Sequence, residues 1–137
     1  MSTRLALAVA CLALAAALHG CANAARQMQI LTDQPQPARL VPGEHFGLVL
    51  RASPAAGMEW QLAEPLNEQI AVLSWRTYHR TNTFAPDYVP GYEGVETWVF
   101  QAVGPGEASV RMKYVRKGVP GAAPTITSDF ALIVAAR

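Results

Sequence analysis

Side chains able to carry covalent or acid–base chemistry are scarce in this 137-residue chain, which has three histidines and two cysteines. Both cysteines, Cys11 and Cys21, fall within or at the end of an apolar N-terminal leader. Past the leader only His45 and His79 remain, and neither has a Cys, His or carboxylate at metal-ligand spacing. No glycine-rich phosphate loop and no Gly-x-Ser-x-Gly elbow occurs. Nine of the ten carboxylates, Glu44, Glu59, Glu64, Glu68, Asp87, Glu93, Glu96, Glu107 and Asp129, sit beside turns or on outward strand positions, where solvation is their ordinary fate. Arg76, His79 and Arg80 gather beside Tyr78, but the net charge is only +1, so no basic stripe marks a nucleic-acid surface. The inventory predicts a protein without catalytic residues, metal or cofactor, whose partner is chosen by shape.

The stretch best suited to such recognition is Ser53-Pro54-Ala55-Ala56-Gly57. Pro54 fixes its own φ and pushes Ser53 out of the helical region, while Gly57 tolerates a positive φ, so the loop is pre-bent and displays little bulk. It reads as a tip for insertion into a cleft, or as a plain hairpin turn. Apolar residues alternate on either side, Phe46, Leu48 and Leu50 before it and Met58, Trp60 and Leu62 after, so two strands share one buried face. His45 is out of phase with them and belongs on the solvent face.

Upstream, Arg4 precedes an apolar run from Leu5 to Leu18, too short to span a bilayer comfortably, which marks residues 1–20 as an export signal. Leu18-His19-Gly20-Cys21 is similar to a bacterial lipobox, and residues 21–26 then form a tether between an acylated Cys21 and a domain over 27–137. The alternative is a soluble periplasmic or secreted protein cut near Ala22 to Ala25. Either way the mature domain has no thiol for a disulfide and depends on its hydrophobic core, for which roughly 105 to 110 residues suffice.

No segment after the leader has sustained helical periodicity. Extended patterns over Gln27 to Leu31, Arg39 to Val41, His45 to Ala52, Met58 to Leu62, Ile70 to Tyr78, Val95 to Val103, Ala108 to Val115 and Ile126 to Ala135 alternate with Gly/Pro turns. About seven strands at this spacing predict one antiparallel β-sandwich of immunoglobulin type. In the fifth pattern, Ala71, Leu73, Trp75 and Thr77 share a face. The connection from Arg80 to Gly94 is long, and loops of that length are usually functional or disordered; Tyr88 and Tyr92 argue for order.

Three loops share the ends of these strands, and their sequence resembles the chagasin family of cysteine peptidase inhibitors. That family presents Asn-Pro-Thr-Thr-Gly before a Tyr-x-Trp strand, Gly-x-Gly-Gly before an aromatic strand, and Arg-Pro-Trp/Phe after a Tyr-containing strand. The corresponding stretches are Ser53-Pro54-Ala55-Ala56-Gly57 before Met58-Glu59-Trp60, then Gly91-Tyr92-Glu93-Gly94 before Val95 to Phe100, then Tyr114-Val115-Arg116-Lys117-Gly118. Gly104-Pro105-Gly106-Glu107-Ala108 is similar to the family's Pro-Gly hairpin, and Phe130 to Val134 to its closing strand.

The resemblance implies a monomeric immunoglobulin-like domain whose loops at residues 53–57, 91–94 and 116–118 wedge reversibly into the cleft of a papain-like cysteine peptidase. The lipobox-like stretch in turn implies that contact with a membrane is made only through the lipid at Cys21. Ala55 and Ala56 stand where the family carries hydroxyls, each hydrogen bond there contributing about 0.5 to 1.5 kcal/mol. Lys117-Gly118 replaces the stiff aromatic pair, an anchor whose loss typically costs about 2 kcal/mol or more, and Glu93 adds a charge. The alternative is a non-inhibitory module of the cell envelope that uses Tyr78, Tyr88, Tyr92 and Trp98 as surface aromatics.

Overall fold

The computed structural model describes residues 27–32, 35–81, 83, 84, 86 and 89–136. The leader, Cys21, the tether and Tyr88 lie outside the described residues. Eight strands are present: β1 (Gln29–Leu31), β2 (Ala38–Leu40), β3 (His45–Ala52), β4 (Met58–Leu62), β5 (Ala71–Arg80), β6 (Gly94–Ala102), β7 (Gly106–Arg116) and β8 (Ile126–Val134). They form two four-stranded sheets, ordered β1-β3-β6-β5 and β2-β8-β7-β4. The fold is the expected all-β immunoglobulin-like sandwich.

It is not wholly antiparallel. β1 runs parallel to β3, from Gln29 opposite Phe46 to Leu31 opposite Leu48, and β2 runs parallel to β8, from Ala38 opposite Leu132 to Leu40 opposite Val134. Pro35 and Pro37 lack the N–H that a continuous ladder would need, so the chain leaves the first sheet after Leu31 and joins the second at Ala38. One stretch of sequence thereby supplies an edge strand to each layer.

Inward side chains from both sheets make the core, and Phe46, Leu48, Phe100, Val110, Met112 and Leu132 are almost wholly buried. Phe46 stacks on Phe100 with centroids 5.3 Å apart, and Trp98 stacks on Phe100 at 6.5 Å, within the range aromatic pairs favour. Among the described residues, every member of the buried cluster lies between Leu31 and Val134. Trp98 is only 3% exposed, which removes it from the surface aromatics expected above.

The fifth pattern also departs from expectation. β5 pairs Leu73 with Phe100 but Trp75 with Val99, so a bulge at Ser74 breaks the alternation. Trp75 therefore leaves the face it was expected to share with Ala71 and points outward, half-exposed. The strand continues through Arg80, opposite Gly94.

Gly94 was expected within a contact loop. It is instead the buried first residue of β6, where a Cβ would collide with the His79 carbonyl and lie 2.6 Å from the Tyr78 hydroxyl. Gly94→Ala is therefore expected to destabilise the domain by about 1–3 kcal/mol, the usual cost of overpacking. The check is the midpoint of urea unfolding.

Candidate functional site

The loop from Ser53 to Gly57 joins the two sheets. At its start, Ala52 ends β3 opposite Gly94 in the first sheet; at its finish, Met58 begins β4 opposite Arg116 in the second. These registers bring the three sequence-predicted loops to one end of the sandwich. Pro54–Ala56 form a single 3-10 turn, closed by Gly57 at φ 74° with its N–H donating to the Pro54 carbonyl at 2.9 Å. Only a residue without a Cβ takes that φ at no cost.

Backbone ties connect the loops. The Ala55 N–H donates to a Glu93 carboxylate oxygen at 2.5 Å, joining the first loop to the second. The Lys117 N–H donates to the Gly57 carbonyl at 2.8 Å, joining the first to the third. The Thr81 N–H donates to the Glu93 carbonyl at 2.9 Å, which fixes the backbone behind that carboxylate. Glu93 is thus a strut between loops, not the free charge its sequence position implied.

Below the turn lies an aromatic stack. Trp60 and Tyr114, opposite each other on β4 and β7, have centroids 4.8 Å apart, and Tyr92 lies 6.4 Å from Tyr114. Their polar ends hold the hairpin: the Ser53 N–H donates to the Tyr114 hydroxyl at 2.8 Å, and Trp60 Nε1 donates to the Arg51 carbonyl at 2.8 Å. The anchoring role of the Tyr114 hydroxyl was missed from sequence. The available signal was its inward phase on the strand, since a buried tyrosine needs a partner for its hydroxyl. Burial pushes the Tyr114 phenol above its ordinary value, with the Ser53 N–H pulling the other way and Tyr92, Glu96 and Glu93 adding to the rise.

Pro54, Ala55, Ala56, Gly91, Arg116, Lys117 and Gly118 are exposed along this edge, whereas Ser53, Gly57, Tyr92 and Glu93 are half-buried. Tyr92 packs against the core, so its ring supports the loops from beneath. Gly91 and Gly118 take φ of 88° and 72°, so both outer loops turn through glycine. The edge is narrow and uncharged at the first loop and cationic at the third. Among the described residues, no group of three or more His, Cys, Asp or Glu is placed to hold a metal ion.

The family model described as chagasin family peptidase inhibitor I42 matches residues 39–134. The chain belongs to the chagasin family of peptidase inhibitors. Members of this family are inhibitors and not enzymes. Among solved structures, the sandwich is similar to the cysteine protease inhibitor EhICP2 from Entamoeba histolytica, with a TM-score of 0.59 and 17% identity over 78% of this chain and 94% of that one. It is also similar to amebosin, with a TM-score of 0.54 and 19% identity over 81% of this chain and 99% of that one. At these identities the likeness is one of fold. No curated protein matches the chain.

Two variants test the struts. Glu93→Ala should speed hydrogen exchange at the Ala55 amide about tenfold, while Glu93→Gln, which keeps an acceptor, should change it little. Tyr114→Phe should cost about 1 kcal/mol by removing the acceptor of the Ser53 N–H. Because the folded pKa of Tyr114 is raised, its contribution is complete below the ordinary value of 10.0 and falls as pH rises through the higher folded value. Tyr114→Phe should therefore weaken the alkaline decline in stability, leaving the share from Tyr78, whose phenol is also raised, chiefly by desolvation.

Proposed function

We propose that this domain is a reversible inhibitor of papain-like cysteine peptidases, acting by filling the active-site cleft with the edge formed by residues 53–57, 91–93 and 116–118. The observation that carries this reading is the lacing of all three loops into one edge by the Ala55 to Glu93 and Lys117 to Gly57 hydrogen bonds. A preformed edge binds without the ordering cost that a mobile loop would incur. The first loop, with only Ala55 and Ala56 at its tip, is slim enough for the narrowest part of a cleft. Its own side chains include no carboxylate to repel a catalytic thiolate; the one that meets the Ala55 N–H belongs to Glu93 of the second loop.

Binding rests on shape and backbone at the first loop and on charge at the third. Arg116 and Lys117 are both exposed there, which favours a target with acidic groups beside its cleft. Without the family's aromatic anchor, binding to a peptidase that has a pocket for it should be some thirtyfold weaker or more, equivalent to about 2 kcal/mol. Gly118, at φ 72°, does not admit an aromatic side chain without strain, so the loop is shaped for a target lacking that pocket.

In the same reading, residues 1–20 direct export and Cys21 carries the lipid that holds a monomeric domain at a bacterial envelope membrane. The chain reaches its first strand at the pole opposite the loops, since Gln29 pairs near the start of β3 and the first loop follows its end. An anchor there leaves the inhibitory edge free.

The chain from Gln27 onward should inhibit papain competitively. Ala55→Glu should raise the inhibition constant at least about tenfold by placing a charge at the tip. Lys117→Glu should act mainly on the association rate, with a salt dependence the unaltered domain does not share in sign. Absence of competition at micromolar concentrations, with the domain folded, would refute the proposal.

A further inference from the structure

The two outer faces of the sandwich are chemically different. On the β2-β8-β7-β4 sheet, Arg111 pairs with Glu64 and with Asp129, the latter at 2.9 Å, giving an ordinary solvated charge lattice. On the β1-β3-β6-β5 sheet, the register aligns Ile30, Gly47, Val99 and Trp75 in one row across all four strands. Ile30 and Trp75 are 45% and 50% exposed, and Val49, in the next row, is 49% exposed. Gly47 has no side chain, and Met28 and Ile30 close over it. The row is thus a flat apolar strip with a tryptophan at one end, put there by the bulge at Ser74.

Charge on this sheet is one-sided. By the register, Arg51, His45 and His79 stand on its outer face, whereas Arg76, 5.0 Å over the Trp98 ring, and Arg80 share the other side with the single carboxylate of these strands, Glu96. Glu96 accepts from Trp98 Nε1 at 2.9 Å, on the side facing the other sheet. Among the described residues of these strands, the strip is therefore bordered by Arg51 and two histidines, and no carboxylate points from it.

Strands of three, eight, nine and ten residues spaced about 4.8 Å apart cover roughly 500 Å², below the approximately 800 Å² per partner of a stable protein interface. The strip is too small to hold a second copy or another protein by itself. It is large enough for a surface to which the chain is already attached, because a tether raises the effective concentration to the millimolar range. Only Ala22 to Arg26 separate Cys21 from Gln27, and five residues reach at most about 20 Å. Met28 lies on the strip itself, next to the point where that tether enters the domain.

We infer that the outer face of the β1-β3-β6-β5 sheet docks on an anionic lipid bilayer, with Trp75, Ile30, Val49 and Met28 at the acyl boundary and Arg51 among the headgroups. The bilayer takes the apolar strip as it takes an interfacial amphipathic surface, through modest apolar burial combined with attraction to anionic lipid. The inference rests on the anchoring reading of Cys21, which brings the bilayer within reach of the strip, and is independent of peptidase inhibition.

The chain from Cys21 to Arg137 has one cysteine and three tryptophans, of which Trp60 and Trp98 are 4% and 3% exposed. Coupling its Cys21 thiol to a maleimide lipid in vesicles supplies the anchor chemically, so failure of docking is distinct from failure of lipidation. On phosphatidylcholine vesicles containing phosphatidylglycerol, Trp75 emission should shift to the blue. Acyl-chain bromines should quench about half of the Trp75 component, defined by subtracting Trp75→Phe. Omitting phosphatidylglycerol, or introducing Arg51→Glu with Ile30→Ser, should reduce that quenching severalfold while inhibition of papain in solution stays unchanged. Emission that stays the same on both vesicle types overturns the inference. A blue shift obtained by concentrating the uncoupled chain without lipid overturns it too, and assigns the strip to self-association.

Discussion

One short connection has to close the end of a two-layer sandwich by passing from one sheet to the other, and the rest of the candidate site depends on how that is done. Ala52 is held in the first sheet opposite Gly94 and Met58 in the second opposite Arg116, which leaves five residues to span the gap. The space beneath is filled by Trp60 and Tyr114, whose polar ends reach the Arg51 carbonyl and the Ser53 N–H. An aliphatic pair would fill the same volume without satisfying those backbone groups. A buried donor left without a partner costs about 1–3 kcal/mol, so the aromatic pair fixes both the spacing of the sheets and the entry angle of the loop.

Three of the ties that organise the edge end on backbone of the first loop: Ser53 N, Ala55 N and the Gly57 carbonyl. The side chains at the tip do not take part in holding it. That separation reconciles Ala55 and Ala56 with membership of a family whose first loop carries hydroxyls, because scaffold and contact surface impose different demands on the same five residues. Pro54 and Gly57 serve the backbone path; Ala55 and Ala56 serve whatever the tip meets. Glu93, from the second loop, contributes a carboxylate strut to a loop whose own side chains can offer none.

Much of this was legible in the sequence. Strict alternation across residues 46–50, 98–102, 110–114 and 130–134 gave the core-facing sets, and the Pro/Gly turns gave the order of strands. The positions of the three loops followed from the strands that flank them. Strand direction at the edges was not legible, because three-residue strands such as Gln29–Leu31 and Ala38–Leu40 carry no pattern that distinguishes parallel from antiparallel pairing. The bulge was hidden for a similar reason: Ser74 fits an unbroken alternation, and only pairing with β6 shows that it is the extra residue. Glu93 and Tyr114 were visible as residue types but not as struts, since their partners lie 38 and 61 positions away and depend on how the sheets stack.

The two surfaces that stand out, the loop edge and the apolar strip, are compatible because they lie on different aspects of the same strands. β3 and β6 run the length of the first sheet, their outward residues forming the strip and their ends delivering Ser53 and Glu93 to the edge. A bilayer against the strip would lie alongside the strands, and the loops would project past it from the end of the sheet. The half-exposed Trp75 has no part in the core and none in the edge, and a fully regular β5 would have turned it inward. Retaining a bulge at that position keeps a large apolar ring outside the fold, and the physical sense of that arrangement is a surface that the ring can enter.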